Sequence, residues 1–497
     1  MKSFSVEIGE PADIIPGDVG ESEGGTVVRL LFRGLTGIDP KTGRAVNVGA
    51  RSIRSGDRKN WTITLADGWT FSDGEKVTAQ DYVDSWNAVL QNGWVSAYFF
   101  TDLLRIKGAA DVPKRTRSMA GLRAVDEKTI KISLEAPNTN LPLILGYSAF
   151  VPMPASVLKS KDWDSYKARP IGNGPYMMDG TWQHNRRIKV ERNPRYHGLD
   201  RASTGAVTLR IYSSVDTAYN DAVAGHLDIS RVPPSRLAGA AKDFGDRYLQ
   251  TPSSSFNFYG FPLWKKEFQD VRIRRAISMA IDRDAINEQL FDNTVMPARS
   301  LVTPLLTLGH RDDPCGEACT YDPVRARQLY EAAGGIPGDR TTFWFNSGSG
   351  HEEYVQAIAN QLRRNLGLTV TLKRQKWSEY TTTVDDHEVT GPYRLGWTMD
   401  YPSPENYLGP IYGTHGSSNG TGYSNPRVDR LLAQGNAART PQDAVAYYQK
   451  AEDLVLRDLP VLPLWFSKSQ VVHSARVTDL ERDSMGYLRL DRVQVTG

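Results

Sequence analysis

The tightest local constraint in the chain is the proline pair Pro402 and Pro404, inside Gly391 to Gly413, which reads GPYRLGWTMDYPSPENYLGPIYG. Ahead of it, Tyr393, Leu395 and Trp397 alternate with Arg394 and Gly396, the period of two that marks a strand. Proline gives no N–H to a ladder, so strand pairing must stop there. The Asp400 carboxylate therefore stands at a strand's end, flanked by Trp397, Tyr401 and Tyr407. Carboxylates are rarely set among aromatic rings unless a cation meets them. The competing assignment is an Asp that caps the turn before Pro402. The local sequence leaves both open.

A chain of 497 residues is long for one core, which makes two or three domains the expectation. The 40% hydrophobic and 24% charged content is that of a globular protein. A net charge of +3 with no run of like charges argues against a dedicated nucleic-acid binder, which needs a basic stripe. Small-molecule and peptide ligands stay open, and 11 Trp and 22 Tyr offer rings to line a cavity. No apolar run reaches the ~18 residues of a membrane span. Met1-Lys2-Ser3 leads into a polar stretch, without the apolar core of a secretory signal. The chain reads as cytosolic, or as a mature form with an added Met.

Several segments have a readable period. Asn60 to Leu65, Thr129 to Leu134, Val207 to Ile211, Ser255 to Phe261 and Thr369 to Leu372 read as strands, and 25–35 as a buried strand or short helix. Thr78 is a candidate N-cap for a helix over 79–91, whose Tyr82, Val83, Trp86 and Leu90 recur at helical spacing. The segment 269–291 reads as a helix with a turn at Asp282 to Asp284. Its Arg272, Arg274 and Arg275 suggest either a phosphate site or, in the reading preferred here, a solvated face of paired charges.

Five blocks in order carry a resemblance: GWTFSDGEKVTAQDYVDSWNAVL from Gly68, IGNGPY from Ile171, the Val271 to Arg283 segment, Trp397-Thr398-Met399-Asp400-Tyr401, and GYSNPRVDRLL from Gly422. Together they resemble the peptide-binding receptors of ABC importers, the extracytoplasmic solute-binding proteins of family 5, from about residue 25 to 470. The first block looks structural, with two turns, a cap and an amphipathic helix. In IGNGPY the glycines suit close backbone approach and positive φ.

The resemblance implies an α/β, two-lobed periplasmic-binding-protein-like fold with an extra inserted α+β domain and a hinge between lobes that close on the ligand. The expected boundaries are 1–39, 161–250 and 468–497 for the first lobe, 40–160 for the inserted domain and 251–467 for the second lobe. Implied partners are a peptide ligand and the permease subunits of an ABC transporter, with no cofactor, no metal and no nucleic acid. The protein is expected to be an extracytoplasmic monomer. Receptors of this kind in Gram-positive bacteria are lipid-anchored through an N-terminal Cys, which this sequence does not have.

In the family the W-x-x-D-Y Asp pairs with the peptide's α-amino group, a role that falls on Asp400. Arg394 stands where the oligopeptide receptors use a cation for the peptide carboxylate, and an Arg fork suits that group. His351 falls near a His serving the same end; a lone His is also a common surface or cap residue. Asp385 departs from the pattern, at a position where those receptors can hold a second base. Tyr98 lies where an aromatic is presented to the peptide. Trp397, Trp377 and Tyr401 are taken as pocket residues, against core packing. Ser255, Phe256 and Asn257 are nominated for backbone pairing with the ligand, against a role as strand core only.

Cys315 and Cys319, the two cysteines, fit neither a four-ligand zinc site nor a C-x-x-C redox pair. A small-loop disulfide is the first choice and suits export, with two free thiols the alternative. Gly416 to Gly420 matches the G-x-S-x-G pattern, but loop flanks it on both sides where a hydrolase needs a strand and a helix. The alternative functions are the same fold binding an oligosaccharide or a metal chelate and, further off, a hydrolase.

Overall fold

The computed structural model describes every residue except Met1, Pro113, Leu199, Gly348, Ser349 and Gly497. The chain forms two compact units, Met1–Leu249 with Gln470–Gly497, and Gln250–Ser469.

In the first unit, Ser3–Ile8 is a central strand whose Phe4, Val6 and Ile8 are buried. It runs parallel to Ala206–Ile211 on one side and to Ile229–Arg231 on the other. Antiparallel strands Arg187–Arg192 and Tyr176–Met178 extend the sheet beyond Ala206–Ile211. The stretch left open between strand and helix resolves as the helix Ser22–Leu31, capped by the Glu21 side chain, which accepts the Gly24 N–H at 2.8 Å. The glycines of IGNGPY owe their place to close approach alone. A Cβ on Gly172 would lie 2.0 Å from the Leu31 carbonyl oxygen, and one on Gly174 2.5 Å from its carbon. Neither has positive φ, so that half of the expectation is corrected.

The first unit also carries an antiparallel four-stranded sheet in the order Ala50–Arg54, Asn60–Leu65, Thr129–Ser133, Leu122–Asp126. Helix Ala79–Asn92 packs on it and begins with a full capping box. Thr78 Oγ1 accepts the Asp81 N–H, and the Asp81 carboxylate accepts the Thr78 N–H at 2.7 Å. Gly93 ends the helix at φ 65°, left-handed backbone that glycine adopts without strain. The C-terminal stretch is tied down by Arg33, whose guanidinium bridges Asp200 at 2.7 Å and Asp491 at 3.1 Å.

The second unit is built on strands in the order Thr369–Gln375, Arg340–Asn346, Tyr393–Trp397, Tyr248–Gly260, Val461–His473. The first two are parallel, and Tyr393–Trp397 is antiparallel to Tyr248–Gly260, with Phe256 opposite Trp397 and Tyr259 opposite Arg394. Helices Val271–Met279, Pro323–Ala332 and Glu352–Leu366 bury Ile273, Ile277, Ala326, Ile358 and Leu362 in one core with Phe343 and Leu464 of the sheet. Cys315 and Cys319 form a disulfide.

The solvated-face reading of 269–291 holds for only part of the segment, which divides into helices Val271–Met279 and Arg283–Phe291. Arg272 is an exposed partner of Asp270 at 2.6 Å. Arg274, by contrast, is 6% exposed and donates to the carbonyls of Phe268, Gln269, Asp458 and Leu459. Its charge closes the C-terminal end of helix Pro441–Asp458, where Leu459 takes a left-handed φ of 46°.

Candidate functional site

Strand Tyr393–Trp397 supplies the site because alternation divides its side chains between two faces. Tyr393 is fully buried in a cluster with Trp344, Tyr380, Val384 and Val389, closed by helix Trp377–Asp385. Arg394 and Gly396 point the other way. Across the ladder, Asn257 receives Arg394 Nη2 on its Oδ1 at 2.7 Å, and Asn346 receives Nη1 at 3.4 Å. A Cβ on Gly396 would stand 3.4 Å from Arg394 Nη2 and 3.1 Å from the Phe256 carbonyl, so the glycine leaves the guanidinium its room. Tyr380 Oη donates to the Arg394 carbonyl at 2.6 Å and fixes the backbone below.

Arg394 is half-buried, and among the described residues no carboxylate lies within ion-pair distance of it. Its side-chain partners are neutral amides, and its Nε–H is buried without a hydrogen-bond partner. Desolvating a guanidinium without a counter-anion is costly, and an anionic ligand group removes that cost.

His351 lies at the start of helix Glu352–Leu366, 9% exposed. Its Nδ1 is 3.2 Å from Tyr354 Oη, and its Nε2 is buried without a partner. Burial, reinforced by the Arg394 charge, pushes the imidazole down to about 4, so at neutral pH it is uncharged.

Beyond the strand the chain turns at Asp400 into helix Pro404–Tyr412. Ser403 caps that helix by accepting the Glu405 N–H at 3.3 Å, and Pro404 occupies its first turn. Asn406, fully buried, faces back to the turn. Its Oδ1 accepts the Asp400 N–H at 2.8 Å and Trp397 Nε1–H at 3.2 Å, and its Nδ2 donates to Asp400 Oδ2 at 3.2 Å. Asp400 itself is half-buried.

The second unit thus holds Asp400, Arg394, His351 and Trp397 on neighbouring elements. Other nominated residues stand differently. Tyr401 is 1% exposed and donates its hydroxyl to the buried Glu405, so it is core and not pocket lining. Phe256 is fully buried between Phe258 and Phe466. The backbone of Phe256 and Asn257 is already laddered to Trp397 and Gly396, in a strand with a neighbour on each side, which removes the free edge that pairing with a ligand requires. Asn257 acts through its side chain on Arg394. Ser255 is half-buried just before that ladder. Trp377 is 54% exposed at the start of its helix, and Tyr98 is half-buried in the first unit, its ring 4.4 Å from Phe99.

Asn406, Asn346 and Tyr354 are not legible in the sequence. Isolated Asn and Tyr carry no spacing signal, but Ser403-Pro404-Glu405 is an N-cap, a first-turn proline and an acidic residue, enough to announce the helix that presents Asn406. Gly416 to Gly420 lies in loop after that helix, with Ser418 N–H on the Pro410 carbonyl at 2.9 Å, so no strand leads into it. Among the described residues no group of three or more His, Cys, Asp or Glu is arranged to hold a metal, and no helix is long and apolar enough to cross a membrane.

Residues 49–419 match the family profile described as bacterial extracellular solute-binding proteins, family 5 Middle. The chain belongs to this family. It is 30% identical over 471 residues to the periplasmic murein peptide-binding protein MppA of Escherichia coli, covering 92% of this chain and 86% of that one. It is 27% identical over 476 residues to the oligopeptide-binding protein OppA of Bacillus subtilis, with the same coverage. Among solved structures, the unliganded open form of the MppA murein tripeptide binding protein aligns over 99% of this chain and 97% of its own, with a TM-score of 0.84 and 26% identity. The mixed α/β fold is that of the two-lobed periplasmic binding proteins. Members of this family are binding proteins.

Proposed function

We propose that this family 5 solute-binding protein captures short peptides by both charged ends and delivers them to the permease subunits of an ABC importer. Asp400 takes the α-ammonium group. Arg394 takes the α-carboxylate, with His351 beside it. The observation that carries this reading is the half-buried Arg394 guanidinium, furnished only with neutral partners and with a buried Nε–H left over. It stands on the strand that leads to a carboxylate already oriented by Asn406. Six residues of fully extended backbone span at most about 20 Å, so a ligand held at both ends has few residues. Relatives named for murein peptides and oligopeptides fit the same chemistry.

The protein acts as a monomer in an extracytoplasmic compartment and carries out no chemical step on the ligand. The Cys315–Cys319 disulfide supports an oxidising environment. Residues 40–160 form a domain of their own within the first unit, a reading supported by their separate four-stranded sheet and capped helix.

Titration calorimetry with di- to hexapeptides tests the proposal. The wild-type chain should bind, peptides should be recovered intact, and Asp400→Ala should weaken binding by about 30-fold or more, the lower end of the ~2–5 kcal/mol expected for a truncated desolvated charge pair. Binding that survives Asp400→Ala unchanged would reduce Asp400 to a turn residue. Absence of peptide binding would turn attention to oligosaccharides and metal chelates.

A further inference from the structure

The His351 imidazole is neutral, so one ring nitrogen donates and the other accepts. Which is which decides what the ring offers a ligand, and the surrounding groups select the answer. Tyr354 is 4% exposed, one helical turn along from His351, with its Oη 3.2 Å from Nδ1 and its ring packed edge-on against Trp465. The Arg394 charge is close enough to act on the same hydroxyl. Among the described residues the hydroxyl's one hydrogen-bond partner is His351 Nδ1, so its O–H either donates to that nitrogen or has no acceptor.

Two proton arrangements follow. If Nδ1 carries the proton, Tyr354 Oη accepts from it. Its hydroxyl hydrogen is then buried with no acceptor, and Nε2 is a buried lone pair with no donor. If Nε2 carries the proton, Tyr354 O–H donates to Nδ1, and a single unmet donor remains, the buried Nε2–H. The second arrangement leaves one orphan in place of two, and orphaned buried polar groups are costly.

Resting on the peptide reading above, we propose that Tyr354 is a positioning residue that fixes neutral His351 as the Nε2–H tautomer, so that the site presents an uncharged donor next to the Arg394 fork for a ligand carboxylate. Two buried N–H groups, His351 Nε2–H and Arg394 Nε–H, then await acceptors, and the ligand's oxygens supply them. The charged and titratable groups that act on the ring are Arg394 on its strand and Tyr354 on its own helix, while Glu352, next in the chain, stands 4.0 Å from Arg374 of strand Thr369–Gln375. Among the described residues none of the carboxylates hydrogen-bonds the imidazole, which would otherwise favour its charged form.

The test is nitrogen NMR of histidine-labelled protein at pH 7, with the His351 signal assigned by its loss in His351→Gln. The expected spectrum of the free protein shows Nε2 protonated and Nδ1 bare. Tyr354→Phe should turn this into a mixture of tautomers and weaken trialanine binding about 3- to 10-fold, the scale of one buried hydrogen bond. A protonated Nδ1, an imidazolium at pH 7, or a tautomer unchanged in Tyr354→Phe would each overturn the proposal. The free-protein spectrum is independent of peptide binding, so a correct tautomer in a protein that binds no peptide would refute the peptide reading and leave the tautomer standing.

Discussion

Asn406 grips Asp400 at two points, accepting its backbone N–H at 2.8 Å and donating to its Oδ2 at 3.2 Å. One fully buried amide therefore sets both the turn and the direction of the carboxylate. Asn406→Asp keeps the shape and the acceptor for Asp400 N–H and Trp397 Nε1–H, but sets a second carboxylate against Oδ2. The two cannot both stay ionised cheaply at that distance, so the pair holds a proton at neutral pH and the turn loses its donor. Affinity for peptides with a free amino terminus should fall at least tenfold at pH 7, measured by calorimetry, whereas Asn406→Gln should lose affinity mainly through misplacement.

Arg394 is the group whose ligand chemistry is easiest to isolate. Arg394→Met keeps much of the apolar stem and removes the fork. For trialanine the expected cost is ~2–5 kcal/mol. For trialanine amide, which has no carboxylate, the cost should be far smaller, so the wild-type preference for the free acid should vanish in the variant. Equal losses for both peptides would mean that Arg394 serves only to brace Asn257 and Asn346.

The second unit was more legible in the sequence than the side chains that finish its site. Period-two alternation located Tyr393–Trp397, and the prolines located its end, because both effects are local. The Arg394 cradle was not legible. Asn257 and Asn346 reach it from two flanking strands, 137 and 48 residues away in sequence, and nothing near either Asn announces the pairing. Tyr401 is illegible for a related reason: a tyrosine next to a candidate binding Asp reads as pocket lining, and only the fold brings up the buried Glu405 that takes its hydroxyl. Thr440 and Pro441 mark the start of helix Pro441–Asp458, but nothing local shows that the carbonyls at its far end hold Arg274.

Arg274 gives a stability prediction away from the ligand. Its guanidinium satisfies four carbonyls, two of them at the end of helix Pro441–Asp458. Arg274→Met would fill similar volume and leave those acceptors buried and unmet, at about 1.5–3 kcal/mol for each charged hydrogen bond not replaced. A loss of at least about 3 kcal/mol in denaturant unfolding is expected, with peptide affinity little changed. Arg272→Met, on an exposed pair with Asp270, should change stability by less than about 1 kcal/mol.

Glu405 makes stability depend on pH with a definite sign. It is buried in helix Pro404–Tyr412, where Gly409 leaves it space and the Tyr401 hydroxyl donates to it. Burial raises its carboxyl above the usual value of 4.5, outweighing the hydrogen bonds from Tyr401 and Asn436 that oppose the shift. In the window between the two values the folded state binds more protons than the unfolded state. Its stabilising contribution is therefore complete below about 4.5 and is lost as pH rises through the folded value. Glu405→Gln keeps an acceptor for Tyr401 and does not ionise, so it should lose none of this. The melting temperature of the variant relative to wild type should climb as pH rises above about 4.5 and level off once the folded carboxyl has ionised. A difference that shrinks with pH would mean that Glu405 is held as a carboxylate, and that the two hydrogen bonds outweigh its burial.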